Sequence, residues 1–457
     1  MEPLLLDNIL ARLRVALEED NLEAATQIIE SMHPSDQADL FSELEDEQQL
    51  ALLPELEPAD SADILEKMDN AEAAELVADM VTESPSDETF AAVAAILDEM
   101  EPDEAADLLG DLEPEQAQAV LENMEEPEDI RPLLLHPDDS AGGLMTSEFL
   151  VLRRRMTAAE AIQAIRDWQP DHETAYYLFI ADAQDRLCGV INMRQLIVAS
   201  PSTPLVEIMN PDVISVTVGI DQEECARLMR RYDLVTMPVI DAERKLLGVV
   251  TIDDVVDVLV EEATEDIQRM GGAQPLNRSY LETPVTTVTR KRISWLLLLF
   301  ITESLTGTVL RLFETELKEA VALAFFVPLL IGTGGNAGSQ TTSTIIRALA
   351  VGDLDLGDAL RSLWHELRIG LLLGVGMALI GYGRALTWGT SSELALTVSV
   401  ALLAIVVWAN VLGSVLPLLA TRLKIDPTVV SGPVMSTLVD ATGLFIYFSI
   451  ARLIMGL

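Results

Sequence analysis

The 457-residue chain sets 29 Lys/Arg against 75 Asp/Glu, a formal net charge of −46, in a composition that is 49% hydrophobic. A deficit of that size argues against nucleic acid or anionic lipid as partner and favours cations. Cys188 and Cys225 have no partners at metal-ligand spacing, which argues against a disulfide framework or a structural zinc site.

The charge is unevenly placed. Residues 1–289 hold 17 Lys/Arg and 64 Asp/Glu, whereas residues 290–457 hold 12 and 11 and are strongly apolar. The length allows two to four domains, here a soluble acidic front and a membrane-embedded back. His33, His136, His172 and His365 are scattered, so any bound metal is expected to be a hard ion held by oxygens. The acidic N-terminus lacks a basic n-region and cleavage site, so no signal peptide is expected.

Residues 1–136 carry a degenerate repeat of about twelve residues, seen as LEPADSADILEKM, MDNAEAAELVADM, MEPDEAADLLGDL and LEPEQAQAVLENM. Apolar residues recur at helical spacing and Pro or Asn opens several units, which predicts short stacked helices. This stretch holds 39 Asp/Glu and 4 Lys/Arg, so it repels itself unless cations intervene. Asp63, Asp103 and Asp107 recur within the repeats, where a solvated acidic face competes with a ligand role.

Residues 137–200 and 201–262 form two similar units, each alternating short β-rich runs with amphipathic helices, as in YLFIADAQDRLCGVINMRQLI and MPVIDAERKLLGVVTIDDVV. They resemble paired cystathionine-β-synthase-type (CBS) domains, regulatory modules that often bind adenine nucleotides. The resemblance implies one ATP-type site, with Thr251 and Asp254 at the ribose; Asn192 and Gln195 stand at the matching places of the first unit. Asp221-Gln-Glu-Glu224 has the form of a helix N-terminal capping box. Glu223, Asp233, Asp253, Asp257, Glu261, Glu262, Glu265 and Asp266 are harder to read as caps. The last six crowd one predicted helix, where like charges three and four apart destabilise unless a cation compensates.

Residues 263–292 are expected to form a connecting helix that breaks at Gly271-Gly272 and Pro275 and ends at Arg290-Lys291-Arg292. The basic triplet marks the cytoplasmic edge of the membrane. Five apolar segments follow within 293–457, at about 293–312, 320–346, 366–386, 394–421 and 427–451. Basic residues cluster in the loops that share a side with residue 292, which predicts the N-terminus in the cytosol and the C-terminus outside. The third segment has 15 uncharged residues between Arg368 and Arg384, so Arg384 is expected to snorkel.

Asp440 stands near the middle of the last segment, where a carboxylate costs roughly 2.5 kcal/mol or more and calls for a cation, water or partners. Ser436 and Thr442 are candidate partners, and Gly432 and Pro433 are expected to loosen the helix before it. Glu303 in ITESLTGT is a second intramembrane carboxylate. PLLIGTGGNAGSQ puts a Gly-rich polar break in the second segment; Gly334 and Gly338 suit close helix packing, whereas Asn336 and Gln340 suit the waters around a cation.

The order of these parts, with PLLIGTGGNAGSQ and GPVMSTLVDATGLFIYF, resembles the MgtE family of magnesium channels along the whole chain. The resemblance implies a multidomain fold: an all-α acidic repeat domain, an α/β CBS pair, a connecting plug helix and a five-helix transmembrane domain. It implies a homodimer in the lipid of the cytoplasmic membrane, with Mg²⁺ as substrate and regulator. Asp440 and Asn336, with Gln340 and Ser436, would meet hydrated Mg²⁺ in the pore. Asp63, Asp103, Asp107, Asp221, Glu223, Asp233, Asp254, Asp257, Glu262, Glu265 and Asp266 would bind the regulatory ions that close it. An ion-coupled secondary transporter using Glu303 and Asp440, or a membrane-anchored nucleotide sensor, are the rival readings. No nucleophile with base and orienter marks an enzyme.

Overall fold

The structure, a computed structural model, describes residues 3–19, 21–168, 176–276, 280–281, 283–430 and 432–457, so His172 lies outside the described residues. The chain divides into two compact units, residues 1–260 and 261–457.

The first unit opens with ten helices: α1 (Pro3–Glu18), α2 (Leu22–Ile29), α3 (Pro34–Ser42), α4 (Asp46–Leu52), α5 (Pro58–Lys67), α6 (Asn70–Glu83), α7 (Asp87–Leu97), α8 (Pro102–Gly110), α9 (Pro114–Leu121) and α10 (Pro127–Ile130). Prolines take the first helical position in α3, α5, α8 and α9, where a missing N–H costs nothing. Each helix is too short to bury its apolar face alone, and the solution is a stack with a stride of two. Helices α3, α5, α7 and α9 pack in one row, and α2, α4, α6 and α8 in the other. The twelve-residue period shows in the hydrogen bonds: Gln37 Nε2 donates to the Ile29 carbonyl (3.0 Å), Gln49 Nε2 to Phe41 (2.8 Å) and Ser61 Oγ to Leu53 (2.9 Å). Each bond ties the first turn of one helix to a carbonyl at or just past the end of an earlier helix.

Two three-stranded sheets follow. β1 (Val151–Arg153), α11 (Ala158–Trp168), β2 (Tyr177–Ala181), β3 (Leu187–Asn192) and α12 (Met193–Val198) make the first CBS unit. β4 (Val216–Thr217), α13 (Gln222–Tyr232), β5 (Thr236–Ile240), β6 (Leu246–Thr251) and α14 (Ile252–Met270) make the second. In both, the first strand is parallel to the second and the second antiparallel to the third, with a register shift at matching places. The halves exchange their leading segments: Thr146 bridges to Val249 of the second sheet and Asn210 to Val190 of the first. Boundaries at 137 and 201 therefore divide the sequence more cleanly than they divide the packing.

The connecting helix expected over 263–292 is the second half of α14, continuous with the last helix of the second CBS unit and ending at Met270. Gly272, at φ +74°, turns the chain there.

The second unit holds α15 (Val285–Leu312), a short α16 (Glu314–Glu319), α17 (Val327–Ala350), α18 (Ala359–Thr387), α19 (Ser392–Arg422) and α20 (Gly432–Met455). Among the described residues five helices are long and apolar enough to cross a membrane. α17, α19 and α20 pack mutually, α18 lies along α19, and α15 packs on α20. The Gly-rich polar stretch PLLIGTGGNAGSQ lies within α17, which runs through it as one helix with Gly334 and Gly338 on its packed face. A Cβ on Gly334 would stand 2.6 Å from Ile405, and one on Gly413 of α19 would stand 2.8 Å from the Gly338 carbonyl. Gly432 and Pro433 do not loosen α20 before Asp440. They begin it, Pro433 taking a position where no N–H is needed. Arg384 ends α18 with its guanidinium 4.7 Å above the Trp388 ring, a basic–aromatic pairing suited to a membrane interface.

Gly413→Leu should therefore separate α17 from α19 and lower the thermal stability of the detergent-solubilised protein by an amount typical of overpacking, about 1–3 kcal/mol or more. Gly332→Ala, where an added Cβ meets nothing within 4 Å, should leave the melting curve unchanged.

Candidate functional site

Two places concentrate chemistry, one in each unit. In the first, the start of α8 brings Asp103 and Glu104 against Asp254 on the first turn of α14. Asp103 is buried, and its Oδ1 has no hydrogen-bond partner among the described residues. Leaving such an oxygen dry and unmatched costs on the order of 1–3 kcal/mol, more when charged. Burial, then the Asp254 charge, pushes the Asp103 carboxyl well above the usual range. The same two causes push Glu104 up to about 8, with Asp107 and Glu66 adding to them. Burial likewise pushes Asp254 up to about 6, against the hydrogen bonds it takes from Thr251.

The structure thus gathers four of the expected regulatory residues, Asp103, Asp107, Asp254 and Asp257, the last acting on Asp254 from one turn along α14. It adds Glu104 and Glu66, the latter accepting from the Glu101 N–H at 2.8 Å. Asp63 stays exposed on α5; Glu66, three residues on, is the residue of that helix that reaches the cluster. Repeat position alone could not tell these two apart.

Other candidates fall elsewhere. Asp221 caps α13, its carboxylate accepting from the Glu223 N–H at 3.0 Å, so Asp221 and Glu223 share a helix start. Glu224 pairs with Arg227. Asp233 is exposed and closes α13 in the left-handed conformation at φ 52°. Thr251 and Asp254 form the start of α14, Thr251 N–H donating to the Asp254 carboxylate at 3.3 Å. Asn192 and Gln195 make the equivalent capping box on α12. The positions expected to hold a ribose are thus engaged in capping.

Further along α14, Glu265 pairs with Arg269, which also pairs with Asp426 in the turn before α20. Asp266 is pushed up by burial first, then by Asp426 and Glu262, with Arg347 opposing. Among the described residues no three carboxylate, imidazole or thiol groups converge to hold a metal. The donors of the acidic cluster are all carboxylate oxygens, the chemistry of hard-cation sites.

The second place is intramembrane. On α17, Asn336, Gln340, Thr344 and Arg347 recur at spacings of four, four and three, and all are exposed on the protomer. They make one polar stripe along a membrane helix, whose other face carries the buried Gly334, Gly338, Thr341 and Thr342. Amides on a lipid-facing stripe would go unsatisfied, so this face belongs against water or protein. α20 lies alongside, with Ser436 Oγ 3.1 Å from where a Cβ on Gly335 would stand, and Asp440 follows Val439, which packs at Gly334. Thr442 is not Asp440's partner: it donates to the Leu438 carbonyl at 2.7 Å and accepts from Trp408 Nε1 at 2.9 Å. Glu303, exposed on the protomer, lies on α15, the helix that packs on α20. Sequence reasoning missed Thr344 and Arg347, although counting fours from Asn336 finds the first.

A protein named magnesium transporter MgtE from Thermus thermophilus is 45% identical to this chain over 327 residues, covering 72% of each. The chain belongs to the MgtE family. The family's divalent cation transporter profile matches residues 327–450, its MgtE intracellular N domain profile residues 11–87 and 32–139, and the CBS domain profile residues 205–261. The magnesium transporter MgtE of Enterococcus faecalis is 36% identical over 331 residues, covering 72% of each. A crystal structure titled as the cytosolic domain of the Mg2+ channel MgtE in complex with ATP is 36% identical, with a TM-score of 0.49, covering 55% of this chain and 99% of that one. As an MgtE-family magnesium transporter with five apolar helices, the protein is a multi-pass membrane protein and not an enzyme.

The acidic cluster has a pH signature. Glu104 and Asp254 have folded-state values above the ordinary carboxylate range, so the folded state binds more protons than the unfolded one from about pH 4 up to about 8. Stability of the first unit is then greatest at the acid end of that window and falls as pH rises through 6 and 8. Without divalent ions, the first thermal transition should move upward when pH is lowered from 8.5 to 6, and Glu104→Gln should raise it at pH 8 and flatten the slope. A transition indifferent to pH, or an unflattened slope in Glu104→Gln, would contradict the assignment.

Proposed function

We propose that the protein is a Mg²⁺-selective channel of the cytoplasmic membrane, assembled as a homodimer and closed by Mg²⁺ on its acidic side. The observation that carries this is the exposed polar stripe of α17, which leaves Asn336 and Gln340 without a protein cover in one protomer. A second copy facing it across an axis would enclose a water-filled path, with Asn336 and Gln340 from α17 and Ser436 and Asp440 from α20 on each side. Mg²⁺ sheds water reluctantly, so amide oxygens and a carboxylate field at outer-shell distance suit it better than a tight cage.

Orientation follows the basic residues. Arg290, Lys291, Arg292, Arg347, Arg361, Arg368, Arg422 and Lys424 lie at one set of helix ends, and Arg311, Lys318, Arg384 and Arg452 at the other. The richer set supports a cytosolic N-terminus, and five spans then put the C-terminus outside.

For regulation, Mg²⁺ joins Asp103, Glu104 and Asp254 in the first unit, and a second ion joins Glu262, Glu265 and Asp266 on the distal half of α14. Both neutralise carboxylates that otherwise repel, and the bound form is the closed one. A nucleotide enters only as an alternative guest at Thr251 and Asp254, whose groups would first have to release each other.

Reconstituted in liposomes, Asp440→Ala and Asp440→Asn should reduce Mg²⁺ flux at least tenfold while the protein still elutes as a dimer. Wild-type flux in both would remove Asp440 from the path, and elution as a monomer in the wild type would remove the axis.

A further inference from the structure

A third carboxylate lies among the membrane helices and, unlike the partly exposed Asp440 and the exposed Glu303, it is buried; the proposed ion path leaves it unused. Glu366 lies two turns into α18, about 7% exposed, with no cation paired to it among the described ion pairs. Its Oε2 is 3.3 Å from the hydroxyl of Thr341 on α17, which is 2.8 Å from Oδ1 of Asn410 on α19. Asn410 is oriented by its own Nδ2, which donates to the Val406 carbonyl at 2.8 Å, so its oxygen faces Thr341. All three side chains are buried, and they come from three different spans.

We propose that Glu366 is a positioning residue for the ion path, setting the rotation of α17 through Thr341 and Asn410. Thr341 follows Gln340 in the chain and lies about 100° round the helix from the middle of the Asn336, Gln340 and Thr344 stripe. At 100° per residue, any rotation that pulls Thr341 from its partners swings the two amides through the same angle. Glycines remove other obstacles to turning: where α17 crosses α19, the Gly338 backbone and the Gly413 position are in contact, and Gly370 of α18 abuts Asn410. Ile405, Val439 and Met435 pack onto the α17 glycines without a specific partner atom, so the directional hydrogen bonds of Thr341 add an angular constraint that this packing lacks.

The geometry has one internal demand. Thr341 has a single hydroxyl hydrogen and two facing acceptors, Asn410 Oδ1 and Glu366 Oε2. An amide at 366 brings N–H groups of its own and can donate to the Thr341 oxygen, so Glu366→Gln should serve the clamp, whereas Glu366→Ala cannot.

This inference rests on the reading that the α17 stripe faces the ion, and the experiment separates the two. Mg²⁺ flux is measured against Mg²⁺ concentration in liposomes for Glu366→Ala, Glu366→Gln, Thr341→Val, Thr341→Ser and Gln340→Ala, with dimer elution recorded for each. Glu366→Ala and Thr341→Val should each raise the half-saturating Mg²⁺ about tenfold with elution unchanged, and the double variant should be no worse than either single one. Glu366→Gln and Thr341→Ser should stay within about twofold of wild type. If Glu366→Ala does not assemble, the isosteric comparison of Thr341→Val with Thr341→Ser decides, and equal behaviour of those two overturns the proposal. Wild-type saturation in Glu366→Ala, or a Glu366→Gln as impaired as Glu366→Ala, also overturns it. If Gln340→Ala is silent as well, the stripe itself has been misread; if Gln340→Ala is impaired while Glu366→Ala is not, only the clamp is lost.

Discussion

Carboxylates buried against one another are the constraint on which the rest of this molecule depends. Asp103, with an oxygen unmatched among the described residues, faces Asp254 where the repeat domain meets the second CBS unit, an unfavourable arrangement of like charges. The fold tolerates it because the stacked repeats supply a long, continuous apolar core, running through Phe41, Leu53, Ile64 and Leu97 into the second sheet at Met237 and Val250. Stability from that core offsets the repulsion among the acidic groups.

The membrane unit repeats the theme in another solvent. Glycines bring α17 within backbone contact of α19 and α20, and the packing face they create forces the polar residues of the same helix to the opposite side. A helix that is apolar and small on one face, amide-bearing on the other, cannot meet lipid all round. Its polar face needs a second surface or water, and that need links packing to permeation.

Much of this was legible in the residues. The twelve-residue period gave stacked helices, and the Gln37, Gln49 and Ser61 bonds repeat at that interval. The five spans and the isolated Asp440 stood out because charge is rare in apolar sequence. What was not legible depends on three-dimensional angle. Asp63 and Glu66 differ by three residues on one helix, and only the hydrogen bond that Glu66 takes from the Glu101 N–H, just before α8, decides which joins Asp103. PLLIGTGGNAGSQ interrupts the apolar run with glycines and amides, and only the packing shows that the glycines face α19 and α20 while the amides lie on the other side of the same helix. Glu366 looked like the edge of its segment, since hydropathy begins there, while the helix begins seven residues earlier at Ala359.

The central claim is that one ion both permeates and closes this protein, and a planar bilayer recording tests it most directly. With Mg²⁺ as the sole permeant cation, unitary currents should appear at low Mg²⁺ on the side bearing the acidic unit. They should vanish as Mg²⁺ on that side rises, and persist when Asp103, Glu104 and Asp254 are replaced by their amides. Flux without unitary currents at any Mg²⁺ concentration would contradict a channel and point to a coupled carrier, and currents indifferent to Mg²⁺ on that side would contradict closure by the acidic cluster.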